Sequence, residues 1–504
     1  MSAEAPGRAP VPGIPARARA VLLSGPGIIE VTEVAVRPPG PDEVLIQVVA
    51  AGICGSDVEL FAGNRPQEIV RYPVIPGHEW SGRVVAVGAD NVGFTPGDPV
   101  VAEGLRWCGT CARCQEGSTN LCLTGYHETG FTEPGAFAEY VTVPARLVHR
   151  LPDDRPLEHA ALLEPTACVV AALSAAGLTA TRLPPSQSPQ AGVSAAGLSA
   201  TGLPVTGSSA AGSPAAGSPE SPSATAGLPT GGPLTAGLPA AGSPTNPSAT
   251  AGLPAARLPS GAWSASPSAV AGLSAAELSS AELPAAGLPA AGLPAGTLPA
   301  GLRAGRLPAA RSPAGGLSAG GLFAGGARSG QRMVVIGGGT LGLIAVQLLA
   351  LTSPAELILV EGQADRRELG ARFGATATIE PAEFADARPD ADVVIEAAGA
   401  PGTGLAAIRA ARRGGTVVLL GIAGVGATPL PPDELAVREL HVHGVFGARA
   451  DSWPIAIGHF AAGELDFGAM ISHRFPLDEV RDAVQTASSR AAGLGKVLLR
   501  PTPN

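Results

Sequence analysis

The stretch RMVVIGGGTLGLIAVQLLAL, residues Arg332 to Leu351, carries the strongest structural signal in the chain. A short apolar run rich in Val and Ile, a glycine turn and a longer apolar run predict a strand, a tight turn and a helix. Gly337, Gly339 and Gly342 satisfy G-x-G-x-x-G in the strand–turn–helix context that a dinucleotide site requires. Gly337 allows the tight turn, Gly339 lets backbone approach a pyrophosphate, and Gly342 lets helix and strand pack closely.

The residues around this turn extend the predicted cofactor site. Thr340 and Leu341 lie between its last two glycines, at the helix N-terminus where a phosphate would bind. Glu361 ends the next predicted strand, where an acid accepts a hydrogen bond from a ribose 2′-hydroxyl and repels a 2′-phosphate. This favours NAD over NADP, although the nearby Arg366 and Arg367 weaken the preference. The alternative is a glycine-rich turn that binds no ligand.

Alternating strand and helix patterns continue from this turn through ELILVEG, ADVVIEAAG and GGTVVLLGIAG. Such alternation predicts a doubly wound parallel sheet, a Rossmann domain, over residues 331–465. Residues 20–173 contain short β-rich runs bounded by Gly, Pro and Asp, which predict a β domain. Residues 1–19 have no apolar core like that of a signal peptide and are predicted to be a disordered tail.

Residues 174–330 consist mostly of Ala, Gly, Leu, Pro and Ser. Proline recurs too often for helices or for a strand ladder, so we predict a long, mostly disordered insert. Leucines recur there with a period of five from Leu273 to Leu298, as in a pentapeptide-repeat β-helix. Prolines follow several of these leucines and remove backbone donors that such a coil needs, which counts against the β-helix.

Composition limits the function. The chain of 504 residues has a net charge of −9 and only 15% charged residues, which argues against binding to nucleic acid or an anionic membrane. It has no run of about 20 apolar residues free of Gly and Pro, so we expect no membrane span. We expect a cytoplasmic protein, in which clustered cysteines are reduced and more often bind metal than form disulfides.

Four of the six cysteines lie in WCGTCARCQEGSTNLC, residues 107–122. A redox pair needs two cysteines, and the ferredoxin spacing C-x2-C-x2-C-x3-C-P is absent. Four thiolates suit a closed, tetrahedral, structural Zn²⁺ site. The predicted ligands are Cys108, Cys111, Cys114 and Cys122.

A second group of possible ligands is scattered over GICGSD, PGHEW and LLEPTAC, and comprises Cys54, His78, Glu79 and Glu164. A thiolate, an imidazole and one carboxylate can hold a zinc ion with a fourth position open for catalysis. His78 and Glu79 would point to opposite faces of a regular strand, so both can bind only where the backbone is irregular. Asp57 is the expected partner that orients His78. Each of these residues alone is also compatible with an ordinary structural role.

These motifs together resemble the zinc-dependent medium-chain alcohol dehydrogenases, especially their sorbitol and threonine dehydrogenase branch. GICGSD, PGHEWSGRVVAVG, the four-cysteine segment, LLEPTACVV and GGGTLG stand in that family's order. The resemblance covers nearly everything except the tail and residues 174–330. It implies an α/β protein with a GroES-like β-barrel catalytic domain, completed by residues 466–504, beside the Rossmann domain.

The resemblance also implies site residues, cofactors and partners. It implies two zinc ions per chain, one structural and one catalytic, the latter held by Cys54, His78 and either Glu79 or Glu164. Ser56 falls at the family's proton-relay hydroxyl, while Cys168 falls near the nicotinamide and is expected to be neither ligand nor nucleophile. The expected activity is NAD(P)-linked oxidation of a secondary alcohol, polyol, cyclitol or amino-alcohol to a ketone. The expected assembly is a homodimer or homotetramer.

Two alternatives remain. One is a zinc-free quinone or enoyl reductase on the same fold. Such an enzyme would not need the possible zinc ligands Cys54, His78 and Glu164, whose presence argues against it. The other is a non-enzymatic protein in which the cysteine segment or the insert mediates binding and the dehydrogenase core is a relic. The insert lies where the family runs directly from a helix into the first Rossmann strand. A flexible surface loop of this kind is tolerated at about 0.6 kcal/mol per doubling of length, but an insert here can also disable the enzyme.

Overall fold

The structure, a computed structural model, describes residues 13–90, 93–178, 330–387, 389–422, 429–489 and 491–502, all of which belong to one compact unit of the chain. Residues 1–12 of the predicted tail and residues 179–329 of the predicted insert, with its period-five leucines, lie outside the described residues. Predictions of disorder or of a repeat coil for these two segments therefore stay predictions.

Strands and helices are numbered separately along the described chain. The strands are β1 (Arg17–Gly25), β2 (Ile28–Ala35), β3 (Glu43–Ile53), β4 (Glu79–Val87), β5 (Pro99–Ala102), β6 (Tyr140–Pro144), β7 (Val148–Arg150), β8 (Arg332–Ile336), β9 (Glu356–Val360), β10 (Ala377–Ile379), β11 (Ala391–Glu396), β12 (Ala411–Leu419), β13 (His441–Gly444), β14 (Ile471–Pro476) and β15 (Lys496–Arg500). The α-helices are α1 (Gly55–Ala62), α2 (Ala112–Gln115), α3 (Leu163–Ala175), α4 (Thr340–Ala350), α5 (Ala364–Arg372), α6 (Pro381–Asp386), α7 (Thr403–Ala410), α8 (Pro432–Val437), α9 (Ser452–Ala462), α10 (Phe467–Met470) and α11 (Val480–Ser488). Short 3-10 helices span Gln67–Ile69, Thr119–Leu121, Ala145–Leu147, Leu157–Leu162 and Leu477–Glu479.

The N-terminal half is built around a mixed sheet of seven strands in the order β14-β15-β3-β4-β5-β7, with β6 also paired to β3. The long strand β3 reads EVLIQVVAAGI and is rich in β-branched residues, which favour a pleated, buried surface. Its Val44, Ile46 and Val48 are fully buried, and each such burial stabilises the fold by about 1.5–3 kcal/mol. β1 and β2 form a separate antiparallel pair beside this sheet.

Two C-terminal strands complete the N-terminal sheet. β15 pairs antiparallel to β3, with Val497 opposite Ile53 and Leu498 opposite Gly52, and β14 pairs parallel to β15. The C-terminal segment therefore forms the neighbour of the central strand. This pairing brings the last strand of the chain to the end of β3, where the candidate active site lies.

The second sheet is the predicted Rossmann sheet. Six parallel strands lie in the order β10-β9-β8-β11-β12-β13, which is the 3-2-1-4-5-6 order of dinucleotide-binding folds when β8 is counted first. The strand order reverses between β8 and β11, and ligands bind at such a point beyond the carboxyl ends of the strands. The glycine turn follows β8 and therefore lies at this position.

Two predicted boundaries need correction. β1 begins at Arg17, where Ala18 is buried and pairs with Val34, so the predicted tail of residues 1–19 overlaps the first strand. α3 continues through Ala175, and Leu178 beyond it is also buried, so the first residues assigned to the insert belong to the folded core. In both places buried apolar side chains extend regular structure past the point where the composition changes.

One helical stretch among the described residues, Leu157–Ala175, is long and apolar enough to cross a membrane by length and composition. Its most apolar window is 72% buried inside the protein, which is the behaviour of a core helix. It packs in the cluster that joins the two sheets, together with α4 and α9.

Candidate active site and metal centres

The first candidate centre forms where β3 and β4 meet. Cys54 follows β3 and caps the N-terminus of α1, while Gly52 on β3 lies directly opposite Glu79 on β4. The donor atoms of Cys54, His78 and Glu79 all lie within 4.8 Å of one another. Their types, a thiolate, an imidazole and a carboxylate, are those that catalytic zinc sites use.

The irregular backbone that this arrangement requires is present. His78 lies just outside β4, and Gly77 before it has a φ of 97°, a left-handed value that favours glycine. A Cβ on Gly77 would lie 2.4 Å from the ring of Phe137, so only glycine fits there. Because β4 begins at Glu79, the adjacent imidazole and carboxylate can face the same space.

Asp57 orients His78. Its Oδ1 lies 3.3 Å from His78 Nδ1, and its Oδ2 accepts a hydrogen bond of 2.9 Å from the Cys54 backbone N–H. Ser56 Oγ lies 3.4 Å from the other ring nitrogen, Nε2. Burial acts to lower the pKa of His78, but the buried Asp57 and the adjacent Cys54 together outweigh it and raise that pKa well above its ordinary value. Asp57 thus faces Nδ1, which would leave Nε2 as the ligand atom.

Glu164 stands apart from the group of three. It lies in the first turn of α3, and its carboxylate accepts a hydrogen bond of 3.3 Å from the Cys168 thiol. Burial, reinforced by the charge of Glu79, raises the pKa of Glu164. Within the described chain, Glu79 and not Glu164 shares the 4.8 Å group with Cys54 and His78. Cys168 is buried, which raises the pKa of its thiol well above the ordinary value and disfavours a nucleophilic thiolate there.

Cys108, Cys111, Cys114 and Cys122 form the second centre, with all four sulfur atoms within 4.8 Å of one another. The Cys108–Cys114 and Cys111–Cys122 sulfur distances are 3.9 and 4.0 Å, about twice the length of a disulfide bond. Four sulfurs placed 2.3 Å from a tetrahedral zinc ion lie about 3.8 Å apart, so the observed spacing fits that ion. All six cysteines of the chain are free.

Backbone amides support this cysteine cluster. The N–H groups of Thr110 and Cys111 donate to Cys108 Sγ at 3.4 and 3.3 Å. Hydrogen bonds from the hydroxyl and backbone of Thr110 lower the pKa of Cys108 to about 5, whereas burial raises that of Cys114 to about 12. Burial acts to raise the pKa of Cys122, but hydrogen bonds from Thr124 and the Cys108 backbone lower it, so Cys108 is not alone in favouring the thiolate. A bound cation would favour the thiolate form further.

The glycine turn has the shape that a dinucleotide requires. Gly337 has a φ of 100°, and a Cβ there would lie 2.8 Å from the Ala398 backbone. A Cβ on Gly342 would lie 1.7 Å from the Gly337 carbonyl oxygen. A Cβ on Gly339, which caps α4, would meet nothing within 4 Å, so this side of the turn is open. Thr340 and Leu341 follow in the first turn of α4.

Of the two side chains predicted to bind the cofactor, Glu361 lies at the glycine turn and Arg366 does not. Glu361 Oε2 accepts a hydrogen bond of 2.6 Å from the Gly338 N–H, which places its carboxylate against the glycines. Arg366 instead donates to the Leu494 carbonyl at 3.2 and 3.3 Å. Arg367 lies beside Glu361, where it donates to the Glu361 backbone carbonyl and to the Glu380 side chain.

Sequence reasoning missed two charged residues beside the first centre. Lys496, at the start of β15, forms an ion pair with Glu79, and both side chains are 2% exposed. Burial acts to lower the pKa of Lys496, but Glu79, Cys54 and Asp57 together outweigh it and raise that pKa. The available signal was composition, because Lys496 is the sole lysine of the chain.

The second missed residue is Glu128. It is 9% exposed, and burial raises its pKa to about 7 while the nearby charge of His78 acts to lower it. Phe131, three residues later, packs its ring 4.9 Å from that of His78, and the Arg65 guanidinium lies 4.2 Å above the same Phe131 ring. This loop therefore forms one wall of the first centre, and no motif marked it.

Comparisons with known proteins find dehydrogenase matches for both the N-terminal sheet domain and the Rossmann domain. Residues 40–153 match the family model described as alcohol dehydrogenase GroES-like domain, and residues 340–462 match zinc-binding dehydrogenase. L-threonine 3-dehydrogenase of Anaeromyxobacter sp. (strain K) is 41% identical over 134 residues, which are 26% of this chain and 39% of that protein. Erythritol/L-threitol dehydrogenase of Mycolicibacterium smegmatis is 39% identical over 178 residues, 32% of this chain and 48% of that protein.

The match therefore spans less than half the length of these curated relatives. Among solved structures, a protein of Sinorhizobium meliloti 1021 described as a zinc-binding dehydrogenase bound to NADP is similar over 96% of this chain and 99% of its own. The TM-score is 0.62 at 25% identity.

Proposed function

We propose that this chain, a member of the zinc-dependent medium-chain alcohol dehydrogenase family, oxidises a secondary alcohol to a ketone by hydride transfer to a nicotinamide dinucleotide. The observation that carries the proposal is the group of Cys54, His78 and Glu79, whose donor atoms lie within 4.8 Å of one another. A glycine turn of dinucleotide-binding shape lies in the same compact unit. A zinc-free reductase on this fold would have no need of these three donors.

The residues of the first centre fit a catalytic zinc ion. Cys54 Sγ, His78 Nε2 and a Glu79 carboxylate oxygen would hold it, and Glu164 lies close enough to act electrostatically on the same site. When bound, zinc supplies a Lewis acid that lowers the pKa of a coordinated alcohol. Asp57 keeps the imidazole in its ligating orientation through Nδ1.

Ser56 is the proposed proton relay. Its hydroxyl lies 3.4 Å from His78 Nε2, the atom that would bind the metal. A hydroxyl both accepts and donates a proton, so Ser56 can receive the alcohol proton and pass it outward. The carbon-bound hydride goes to the nicotinamide, since hydride chemistry belongs to the cofactor.

We propose a second, structural zinc ion at Cys108, Cys111, Cys114 and Cys122. The 3.9 and 4.0 Å sulfur distances support it, because they match the edges of a tetrahedron around zinc. This ion would stabilise the segment between β5 and β6, which among the described residues contains only α2 and one short 3-10 helix as regular structure.

NAD is the proposed cofactor in preference to NADP. The Glu361 carboxylate lies against the Gly338 N–H, where it would accept a hydrogen bond from an unmodified ribose and repel a 2′-phosphate. Arg366 donates to the Leu494 carbonyl, so of the two nearby arginines only Arg367 lies beside Glu361, where it is paired with Glu380. The Sinorhizobium relative bound NADP, so the preference requires a direct test.

The substrate is proposed to be a polyol, cyclitol or amino-alcohol, in line with relatives named for threonine, erythritol or L-threitol. The buried Glu128 adds a polar, ionisable wall that suits such hydrophilic substrates better than ethanol. We further propose a homodimer or homotetramer in the cytoplasm, a location that suits six free thiols.

The test is reduced-nicotinamide absorbance of the full chain with polyols, cyclitols, threonine and simple secondary alcohols, with NAD⁺ and NADP⁺ in parallel. His78→Ala should abolish turnover while the circular dichroism spectrum stays that of the wild type. His127→Ala, which removes a 40% exposed histidine side chain outside the group, is the matched control and should remain active. Near-normal activity of His78→Ala would refute the zinc mechanism.

A further inference from the structure

The cysteine lobe, defined as residues 103–126, is hydrogen-bonded to one loop of the Rossmann domain. The Ala450 backbone N–H donates a hydrogen bond of 2.9 Å to Thr119 Oγ1, and the Asn120 side-chain amide donates one of 2.9 Å to the Phe446 carbonyl. Both Rossmann residues belong to the loop that joins β13 to α9, called the β13–α9 loop below. Two adjacent side chains of the lobe therefore hold this loop near both of its ends.

The lobe and the β13–α9 loop are also packed closely. The rings of Tyr126 and Phe446 lie 6.1 Å apart between centroids. Gly447 has a φ of 64°, and a Cβ there would lie 2.8 Å from Leu105 Cδ1. Thr119 is 5% exposed, so water competes little for its hydrogen bond.

A second set of contacts links the lobe to the helix that follows the loop. Trp107 Nε1 donates a hydrogen bond of 2.7 Å to the carboxylate of Glu103, which is 4% exposed. The other oxygen of Glu103 lies 3.2 Å from His149 Nε2, and the His149 ring stacks on Trp453 of α9 with centroids 5.6 Å apart. Trp107 directly precedes Cys108, so these contacts begin beside the first cysteine.

The cysteines determine where the loop-binding side chains of the lobe lie. Thr119 and Asn120 belong to the short 3-10 helix that directly precedes Cys122. That helix and α2 are the only helices in this described stretch of the chain, so the lobe has little regular structure of its own. An ion shared by the four thiolates would join Cys108 to Cys122 and so fix Thr119 and Asn120 in place.

The β13–α9 loop lies at the edge of the sheet where a dinucleotide binds. Gly444, the last residue of β13, pairs in parallel with Leu419 of β12, and the Val445 N–H at the start of the loop donates to the Leu419 carbonyl at 3.0 Å. The glycine turn leaves the same edge after β8. A Rossmann sheet has two mononucleotide-binding halves, and the cofactor lies across the carboxyl ends of both. The glycine turn belongs to one half and the β13–α9 loop to the other.

We propose that Thr119 and Asn120 are positioning residues that order the β13–α9 loop from the cysteine lobe, so that zinc bound by the lobe strengthens the binding of the nicotinamide dinucleotide. This coupling rests on the proposed function, since it takes the four cysteines as a zinc site and the glycine turn as a dinucleotide site. A loop that is ordered beforehand spares the cofactor the entropic cost of ordering it. Linkage requires the reverse effect as well, so the cofactor should strengthen zinc binding by the lobe by the same factor.

The first measurement is NADH affinity, determined by fluorescence titration of the zinc-loaded full chain without substrate. Thr119→Val removes the hydroxyl and keeps the shape, so NADH should bind about fivefold more weakly, which corresponds to about 1 kcal/mol. Thr119→Ser keeps the hydroxyl and should stay within about twofold of the wild type. Thr502→Val is the matched control, because it removes a threonine hydroxyl that donates to the Val48 carbonyl at 2.9 Å instead.

The second measurement is the zinc affinity of the lobe, determined by competition with a chelator at equilibrium. It is made in Cys54→Ala, which lacks a ligand of the other centre, and the binding step that disappears when Cys111→Ala is added is assigned to the lobe. NADH should strengthen this step at least about fivefold. When Thr119→Val is added instead, NADH should change the step by less than about twofold.

Zinc content and circular dichroism of each variant are compared with the wild type first. If Thr119→Val loses zinc or unfolds, Asn120→Asp takes its place, because it removes only the amide that donates to Phe446. Wild-type NADH affinity in the substituted protein, an equal loss in Thr119→Ser or in Thr502→Val, or lobe zinc affinity that is independent of NADH overturns the coupling. A wild-type chain that binds no zinc in the lobe, or no NADH, refutes the proposed function itself, so the two failures are distinguishable.

Discussion

Glu128→Gln should stabilise the protein at neutral and alkaline pH. Glu128 is 9% exposed, and no described residue forms a hydrogen bond or ion pair with its carboxylate. Burial raises its pKa to about 7 from an ordinary value of 4.5. Its ionised form therefore destabilises the folded state, and an amide of similar shape removes that charge.

The magnitude follows from proton linkage. A folded-state pKa above the unfolded value means that the folded protein binds more protons between pH 4.5 and 7. Stability contributed by this group is therefore lost as the pH rises through that window. The full difference is about 3 kcal/mol, since each pKa unit corresponds to 1.36 kcal/mol. The destabilisation caused by ionised Glu128 should reach nearly this full value at pH 8 and stay below about 1 kcal/mol at pH 5.

The assay is denaturant unfolding of the wild type and of Glu128→Gln at pH 5 and pH 8 with equal metal content. Glu68→Gln, on an exposed side chain of a short 3-10 helix, is the matched control and should change stability little at either pH. Two outcomes would refute the role of burial: the same difference in unfolding free energy between the wild type and Glu128→Gln at both pH values, or a Glu128→Gln protein that is less stable than the wild type at pH 8.

Two further substitutions test the other parts of the site. Cys111→Ala should lower the thermal melting temperature, because a structural zinc ion contributes directly to folding; an unchanged melting temperature, with and without chelator, would count against that ion. Gly342→Ala should weaken NADH binding, measured by fluorescence titration, and destabilise the fold, because the new methyl group would lie 1.7 Å from the Gly337 carbonyl oxygen. Gly404→Ala is the control: Gly404 lies in α7, where alanine favours a helix, and the new Cβ would be an ordinary 3.8 Å from the Leu419 side chain. Equal NADH affinities of the two variants would contradict the assignment of the glycine turn as the cofactor site.

Local patterns were predictable from the sequence. The strand, glycine turn and helix at residues 332–350 appear as predicted, the predicted fold class is confirmed, and each half of the chain matches a dehydrogenase family model. The four cysteines of residues 108–122 also come together. Both motifs lie within a single short segment, so backbone geometry alone brings their residues close to one another.

Tertiary structure decided what depends on strand register. The sequence left Glu79 and Glu164 as equal candidates, and the pairing of β4 with β3 places Glu79 in the group with Cys54. Arg366 was expected at the cofactor, but its guanidinium contacts Leu494. Lys496 reaches Glu79 only because β15, near the C-terminus, pairs with β3, near the N-terminus. No local sequence pattern encodes which strands become neighbours. A shift of one residue in that pairing would turn the lysine to the opposite face, away from the metal group.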